Sequence, residues 1–588
     1  MRRNLDREEL ILNMHQISEE HLDTDVLIIG GGTAGCLAAV EIKEKSPKTD
    51  VLILDKGHID RSGCLAGGMN AINAYLNHNE TPETFTRFVR ADNMGLVRED
   101  LVKTQAELFD YCVKKVESWG LPIKKGEDGK YLPRGRWNIQ INGESIKPII
   151  ASAARRAGAK VLNWVCATNF ILDETRVCGA FGFSIRQNIF YVIRAKAVVI
   201  ATGGAAGLYR PNNPHDAQHK TWYSPFNNGA GYAMGIRAGA EMTSYEMRYI
   251  ALRTKDVIAP TGTIALGVNA PYVNGRGEPF MEMRWKDYGG DRAATPIRAY
   301  APILELKEGR GPVYLDTRHL DREGVRKLKE AFLDMYPGQV LYWISNDLDP
   351  GEHPVEVQLT EPYIVGGHCQ SGYWVNVDRQ TTLDGLYAAG DVAGGAPYKF
   401  ISGCWAEGVI AGRAALRSIQ DMKSAEWRTI EPKAEFDRVY APLLRYDPRQ
   451  MYLVPPYDFE TRIQKILEEY AGGASTFFEM NEERLVVARK HLSFLPGQYS
   501  YLCAKDLHEL MLCQEVINRV DVARVLVEHL IFRKETRWPG YQTRLDYPKR
   551  DDENWLKFVN STYDVASDKV TLLTRPYKQI VDGDRYHG

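Results

Sequence analysis

At 588 residues the chain is too long for a single hydrophobic core, so two to four structural units are expected. Its 44% apolar and 26% charged residues exclude a disordered or fibrous chain. The 74 Lys and Arg against 76 Asp and Glu leave a formal charge of −2, with no basic field to attract nucleic acid.

Residues 1–25 carry two early arginines and then acids where an export signal needs an apolar run, so no export signal is expected. Residues 25–29 are β-branched and almost wholly apolar, which predicts a parallel strand buried on both faces. It runs into G-G-G-T-A-G, in which Gly30, Gly32 and Gly35 fit G-x-G-x-x-G: a tight turn, a close approach of backbone to a pyrophosphate, and close helix packing. A helix over 36–45 and a strand over 51–54 follow, and the strand ends at Asp55, twenty residues after Gly35, where a ribose-binding carboxylate belongs. A further apolar strand over 197–200 ends in A-T-G-G (201–204), and 385–389 runs into Gly390 and Asp391. Near the C-terminus, 467–470, 481–492 and 516–531 carry apolar residues at helical spacing. From R-W-P-G (537–540) onward, frequent Pro, Asp and aromatic residues predict an extended tail.

The nine cysteines, at 36, 64, 112, 166, 178, 369, 404, 503 and 513, form no C-x-x-C and no His/Cys cluster, so neither a metal nor an iron–sulfur site is expected in the chain. They are too sparse for a disulfide scaffold and fit a cytoplasmic compartment. The longest apolar stretches are broken by glycine, which argues against a membrane span.

Segments 30–35, 201–204 and 385–391 together resemble the three fingerprints of FAD-binding proteins of the two-dinucleotide-binding type. Around them stand R-S-G-C-L-A-G-G-M-N-A-I-N-A-Y-L (61–76), F-V-R-A-D-N (88–93), G-R-W-N-I-Q-I-N-G-E-S-I-K-P (135–148), T-E-P-Y-I-V-G-G-H (360–368), K-F-I-S-G-C-W-A-E-G (399–408) and E-T-R-W-P-G-Y (535–541). This ordered set is similar to the fumarate reductase and succinate dehydrogenase flavoprotein superfamily, and within it most similar to the alpha subunits of dissimilatory adenylylsulfate reductase. The resemblance implies non-covalent FAD, because Gly63 stands near where covalent members hold the flavin-linking histidine. It places Gly30, Gly32, Gly35, Asp55, Lys56, Ser62, Gly63, Thr202, Gly203, Gly390, Asp391, Ser402 and Gly403 at the cofactor. It further implies Asn73, Arg253 and His368 as catalytic residues, with Trp222 and Leu266 binding substrate. The reaction implied interconverts adenylylsulfate plus two electrons with sulfite and AMP through a flavin N5–sulfite adduct, Arg253 and His368 holding the sulfonyl oxygens.

Departures from the fumarate reductase pattern remove what that chemistry needs. A-P-T-G (259–262) replaces H-P-T-G, Pro362 stands in place of the second substrate histidine, and Thr295 falls where an arginine protonates carbon, with Arg292 and Arg298 nearby. The stretch 257–267, V-I-A-P-T-G-T-I-A-L-G, also lacks the aromatic residues that adenylylsulfate reductases carry there. A smaller or differently shaped pocket is expected.

The fold class expected is α/β: a Rossmann-like FAD-binding domain over 1–249 and 363–430, an inserted α+β capping domain over 250–362, a C-terminal helical domain over 431–540 and an extended tail over 541–588. By the resemblance, electrons arrive from a ferredoxin-like iron–sulfur subunit, so a hetero-oligomer acting on a small anionic substrate is expected, with peripheral association with a membrane electron-transfer complex as a further setting. Two other functions stay open: a fumarate-reductase-like flavoprotein acting on a different small oxyanion or unsaturated carboxylate, and a flavoprotein subunit that only relays electrons.

Overall fold

The computed structural model describes residues 17–75, 80–213, 220–420, 422, 424 and 430–583. Its centre is a seven-stranded sheet in which Lys160–Asn163, Val51–Asp55, Ser18–Ile29, Ile189–Ile200, Arg176–Ser184 and Val165–Asp173 lie side by side. Leu386–Ala388 pairs in parallel with the end of Ile189–Ile200. The first four strands run parallel, Arg176–Ser184 runs against them, and Val165–Asp173 runs against Arg176–Ser184.

Alternation along the central strands feeds two cores. Val26, Ile28, Ile53 and Val199 point into a layer with helix Thr33–Lys45 and helix Ser402–Ser418. Leu27, Ile29, Leu54 and Val198 point into the opposite layer, where the helices near the C-terminus pack. Each such side chain, fully buried, stabilises the fold by about 1.5–3 kcal/mol, which accounts for the near-continuous apolar runs that mark these strands in the sequence.

Several expected elements are longer than the sequence predicts, including the strand Ile189–Ile200 and the helix Pro456–Tyr470. The first strand begins at Ser18, because its polar start finds partners along Ile189–Ile200. The helix expected over 36–45 starts at Thr33, inside the glycine turn. The helix expected over 516–531 is part of Leu507–Phe532, whose N-terminus is capped by the Asp506 carboxylate accepting the Glu509 N–H. This helix is apolar nearly all round and correspondingly buried.

Segment 250–362 carries its own antiparallel sheet, Leu252–Thr254, Val355–Leu359, Val313–Leu315 and Tyr272–Asn274 in that order. Its core holds Phe280, Leu328, Phe332 and Trp343, and it is continuous with Trp538, Tyr541 and Phe558 from the far end of the chain. The last segment is not simply extended. Lys557–Asp564 and Lys569–Pro576 form a hairpin, and its first strand pairs with Met242–Thr243, a backbone ladder that composition alone does not reveal. Among the described residues no helix is long and apolar enough to cross a membrane.

Candidate active site

The glycine turn is shaped by contacts that no other residue tolerates. Gly30 has φ +104°, and a Cβ there would lie 2.4 Å from the Ala201 carbonyl oxygen; at Gly35 it would lie 2.1 Å from the Gly30 carbonyl oxygen. At Gly32 a Cβ would meet nothing closer than the Ala201 oxygen at 3.7 Å, so its missing side chain clears open space at the N-terminus of helix Thr33–Lys45. An anionic pyrophosphate fits that space, and no acid stands in the helix's first turn to oppose it.

Asp55 ends its strand 5% exposed and accepts from the Gly31 N–H at 3.0 Å, the Gly57 N–H at 2.8 Å and the Ser62 hydroxyl at 2.6 Å. Ser62 thus orients the acid, and Gly63 leads into the turn Cys64–Gly67. Lys56 is committed elsewhere, with its Nζ 2.6 Å from Glu515 on the long C-terminal helix.

Thr202 and Gly203 follow the strand Ile189–Ile200, and the Thr202 hydroxyl is buried without a partner. The Ser402 hydroxyl, at the start of helix Ser402–Ser418 with Gly403 beside it, is likewise unpartnered. Ile401, just before that helix, holds φ +73°, a strained conformation for a β-branched residue. The loop is pinned by Lys399, whose fully buried ammonium donates to the carbonyls of Gly390 and Ala393 at 2.6 and 2.7 Å and pairs with Glu407 at 3.0 Å. Glu407 in turn accepts the Gly390 N–H at 2.9 Å. Asp391 accepts from the Tyr223 hydroxyl at 2.7 Å, and burial pushes its carboxyl above the usual carboxylate range. These unpartnered hydroxyls, the cleared glycine turn and the two helix N-termini fit FAD.

Arg253, Trp222 and His368 come together. The Arg253 guanidinium lies over the Trp222 ring at 4.2 Å, and the His368 ring meets Trp222 edge-on at 4.9 Å. Tyr249 and Phe400 close around the imidazole at 4.5 and 5.0 Å. Burial, with the nearby Arg253 charge, depresses His368 to about 3, so the imidazole is neutral across the working pH range. Burial also lowers the Arg253 pKa from its ordinary value.

Beside His368 a small cavity is lined by Asp92, Asn93, Thr295, Tyr398 and Tyr541. Thr295, which replaces the fumarate reductase arginine, exchanges a hydrogen bond with the Tyr398 hydroxyl at 2.9 Å and receives one from Arg298 at 3.0 Å. Burial opposes the Arg298 charge, but the Tyr272 and Asp92 oxygens more than offset it and raise its pKa. Arg292 is exposed.

Three buried nitrogens, Arg253 Nε, Arg298 Nε and His368 Nδ1, have no partner. Asn73, 1% exposed, is fixed by its amide donating to the Tyr398 carbonyl at 2.7 Å. Leu266 is not brought to the cavity; it is 46% exposed on the segment Thr263–Gly267. Asp92, Tyr249, Tyr398 and Phe400 were not singled out from sequence, and Arg298 was named there only as an arginine near Thr295. Asp92, Tyr398 and Phe400 lie within or beside the motifs F-V-R-A-D-N and K-F-I-S-G-C, so the motifs signal the region although not the roles.

Comparison with known proteins agrees with this geometry. Residues 25–400 match the FAD-binding domain family, and 503–581 match the C-terminal domain of fumarate reductase flavoproteins. The adenylylsulfate reductase alpha subunit of Megalodesulfovibrio gigas is 33% identical, over 96% of this chain and 97% of that one. The crystal structure of adenylylsulfate reductase from Archaeoglobus fulgidus superposes with TM-score 0.91 at 38% identity, covering 97% of this chain and 98% of the other. A structure of adenosine-5-phosphosulfate reductase with covalently bound sulfite superposes equally well, with the same identity and coverage. E. coli quinol fumarate reductase, at 19% identity and TM-score 0.79 over 96% and 98% of the two chains, shares the fold. The chain is an FAD-dependent oxidoreductase, with the cofactor held non-covalently. It belongs to the fumarate reductase and succinate dehydrogenase flavoprotein family and, within it, to the adenylylsulfate reductase alpha subunits.

Proposed function

We propose that this chain is the catalytic flavoprotein subunit of an enzyme that interconverts adenylylsulfate plus two electrons with sulfite and AMP. The observation that carries the reading is the set of three buried, unpartnered nitrogens, Arg253 Nε, Arg298 Nε and His368 Nδ1, on side chains that all neighbour Tyr249. Buried polar atoms are nearly always satisfied, so three orphans on two guanidiniums and an imidazole are the mark of an oxyanion site.

Gly30, Gly32, Gly35, Asp55, Thr202, Gly203, Gly390, Asp391, Ser402 and Gly403 hold FAD, with Ser62 orienting Asp55 and Gly63 leaving room. Lys56 acts there only through its pair with Glu515. When bound, FAD supplies the two-electron exchange with sulfur. Arg253 and Arg298 hold the sulfonyl oxygens, and neutral His368 donates one N–H without adding charge. Asn73, fixed by Tyr398, sets the position of the reacting group, and the Trp222 face shields it from water. Leu266 offers apolar surface to the adenine.

The alternative, proton donation to the carbon of an unsaturated acid, has Thr295 in the position of the acid, and a hydroxyl is too weak for it. Electrons enter from an iron–sulfur subunit, because the chain's own nine cysteines are dispersed and unpaired. The decisive experiment titrates the oxidised holoenzyme with sulfite, then with sulfite plus AMP, while following flavin absorbance. Bleaching by sulfite and reduction on adding AMP are expected; bleaching with no response to AMP removes the nucleotide from the reaction.

A further inference from the structure

Among the described residues, Arg134 is a cation without a counter-ion. Its Nη1 donates to the Asn70 side-chain oxygen at 2.7 Å, and Asn70 in turn donates to the Thr263 hydroxyl at 3.0 Å. Both partners are neutral. Burial, with no neighbouring carboxylate to oppose it, pushes the Arg134 pKa down to about 10, so it keeps its charge at neutral pH. A guanidinium has five N–H donors, and a neutral amide oxygen uses one of them.

Its position is set by two elements of the active site. The Arg134 backbone N–H donates to the Asn138 carbonyl at 2.8 Å, and Asn138 is the register partner of Asn73 in the pair of strands Ala71–Asn73 and Asn138–Gln140. On its other side the guanidinium faces the A-P-T-G loop: Nη2 lies 3.1 Å from where a Cβ of Gly262 would stand, and Nε 4.0 Å from that of Gly267. The missing side chains let the charge approach the loop. This is the loop in which Ala259 has lost the imidazole of the fumarate reductases and which carries the exposed Leu266.

We infer that Arg134, steadied by Asn70, binds the phosphate of the nucleotide substrate, as a second anion subsite separate from the sulfonyl site of Arg253, Arg298 and His368. The assignment rests on the proposed function. A sulfate–phosphate mixed anhydride carries anionic oxygens on both sulfur and phosphorus, and a cluster on one of them leaves the other to be matched. A guanidinium fork is the group suited to phosphate, since it gives two parallel hydrogen bonds. Leu266 on the adjoining loop then lies on the adenosine side of that phosphate.

The test uses the FAD-loaded protein and its Arg134→Gln and Arg134→Lys variants. Three quantities are read: the sulfite concentration that half-bleaches the flavin, the AMP concentration for half-maximal flavin reduction with sulfite present, and the concentration of adenosine, which lacks the phosphate that accepts the sulfur group, that half-inhibits this reduction. Arg134→Gln is expected to raise the AMP requirement about tenfold or more, to move the sulfite midpoint by less than about twofold and to leave half-inhibition by adenosine where it was. Arg134→Lys, which keeps charge and loses the fork, is expected to fall between, and it decides the matter if Arg134→Gln sheds FAD. An unchanged AMP requirement, or equal shifts for AMP and adenosine, overturns the assignment while the proposed function stands. A parent enzyme that ignores AMP overturns both.

Discussion

The FAD cradle is made largely of backbone, a glycine turn, two helix N-termini and one loop pinned by Lys399, whereas the substrate wall is made of side chains delivered from separate segments. Arg253 comes from one edge of the inserted sheet, Arg298 from helix Thr295–Lys307, Trp222 and His368 from loops of the nucleotide-binding half, and Tyr541 from near the C-terminus. A backbone cradle fails at the position where a side chain does not fit. A side-chain wall loses function one donor at a time while the cofactor stays bound.

The largest expected effect is therefore Gly35→Val. Its Cβ would stand 2.1 Å from the Gly30 carbonyl oxygen and 3.0 Å from Ile28, and the nearer atom is backbone that the sheet fixes. The turn must open, and FAD retained by the purified protein should drop at least about tenfold, measured as the ratio of flavin to protein absorbance. Full retention would show that the turn is more plastic than its contacts imply.

That contrast also explains what the sequence discloses. Gly30, Gly32, Gly35 and Asp55 are readable because strand, turn, helix and acid follow in thirty residues, and their spacing is the structure. Asp391 and Ser402 are readable only through the resemblance of their segments to the later FAD fingerprints. The wall is not local. Nothing in the chain tells which of its 31 tyrosines meet at one cavity, and Tyr249, Tyr398 and Tyr541 do so only because the inserted segment, through Thr295 and Pro296, and the tail, through Tyr541, meet the FAD-binding half there. Trp222, Arg253 and His368 were found through motif resemblance, and periodicity would have placed none of them. The tail hairpin escaped because the polar residues of its outer strand give no clean alternation.

Next in size are single donors of the wall. Arg253→Ala and Arg298→Ala should each slow AMP-dependent flavin reduction about 100-fold, the usual cost of removing one oxyanion donor, with FAD content unchanged. His368→Ala should fall in the same class. Because the imidazole is held neutral down to about pH 3, the rate should show no histidine limb between pH 5 and 8. A limb near 6.5 that vanishes in His368→Ala would mean that the imidazole cycles through its charged form.

A third effect is read in stability. Glu361 is 0% exposed, accepts from the Tyr363 hydroxyl and the Asn212 N–H, and is raised by burial to about 7 from 4.5. Tyr363 accepts the Trp222 N–H at 3.0 Å, which links this carboxyl to the wall. Between pH 4.5 and 7 the folded protein keeps a proton that the unfolded chain has lost, so stability contributed by the neutral carboxyl falls as pH rises through that window. The full cost above pH 7 is about 3 kcal/mol. Glu361→Gln should match the parent near pH 4.5 and exceed it increasingly toward pH 8 in denaturant melts. A difference that does not change with pH would place the ionisation outside this window.

The smallest effect sharpens a point at which sequence and structure part. Leu266 is 46% exposed, so Leu266→Ala should change folding stability by less than about 0.5 kcal/mol. If the side chain covers the adenosine of a nucleotide held by Arg134, it becomes buried only in the complex. Losing that burial costs about 1 kcal/mol, or roughly a fivefold rise in the AMP requirement, with the sulfite midpoint unmoved. A response to AMP equal to the parent's would take Leu266 out of the substrate wall and leave the loop 257–267 to act through Arg134 alone.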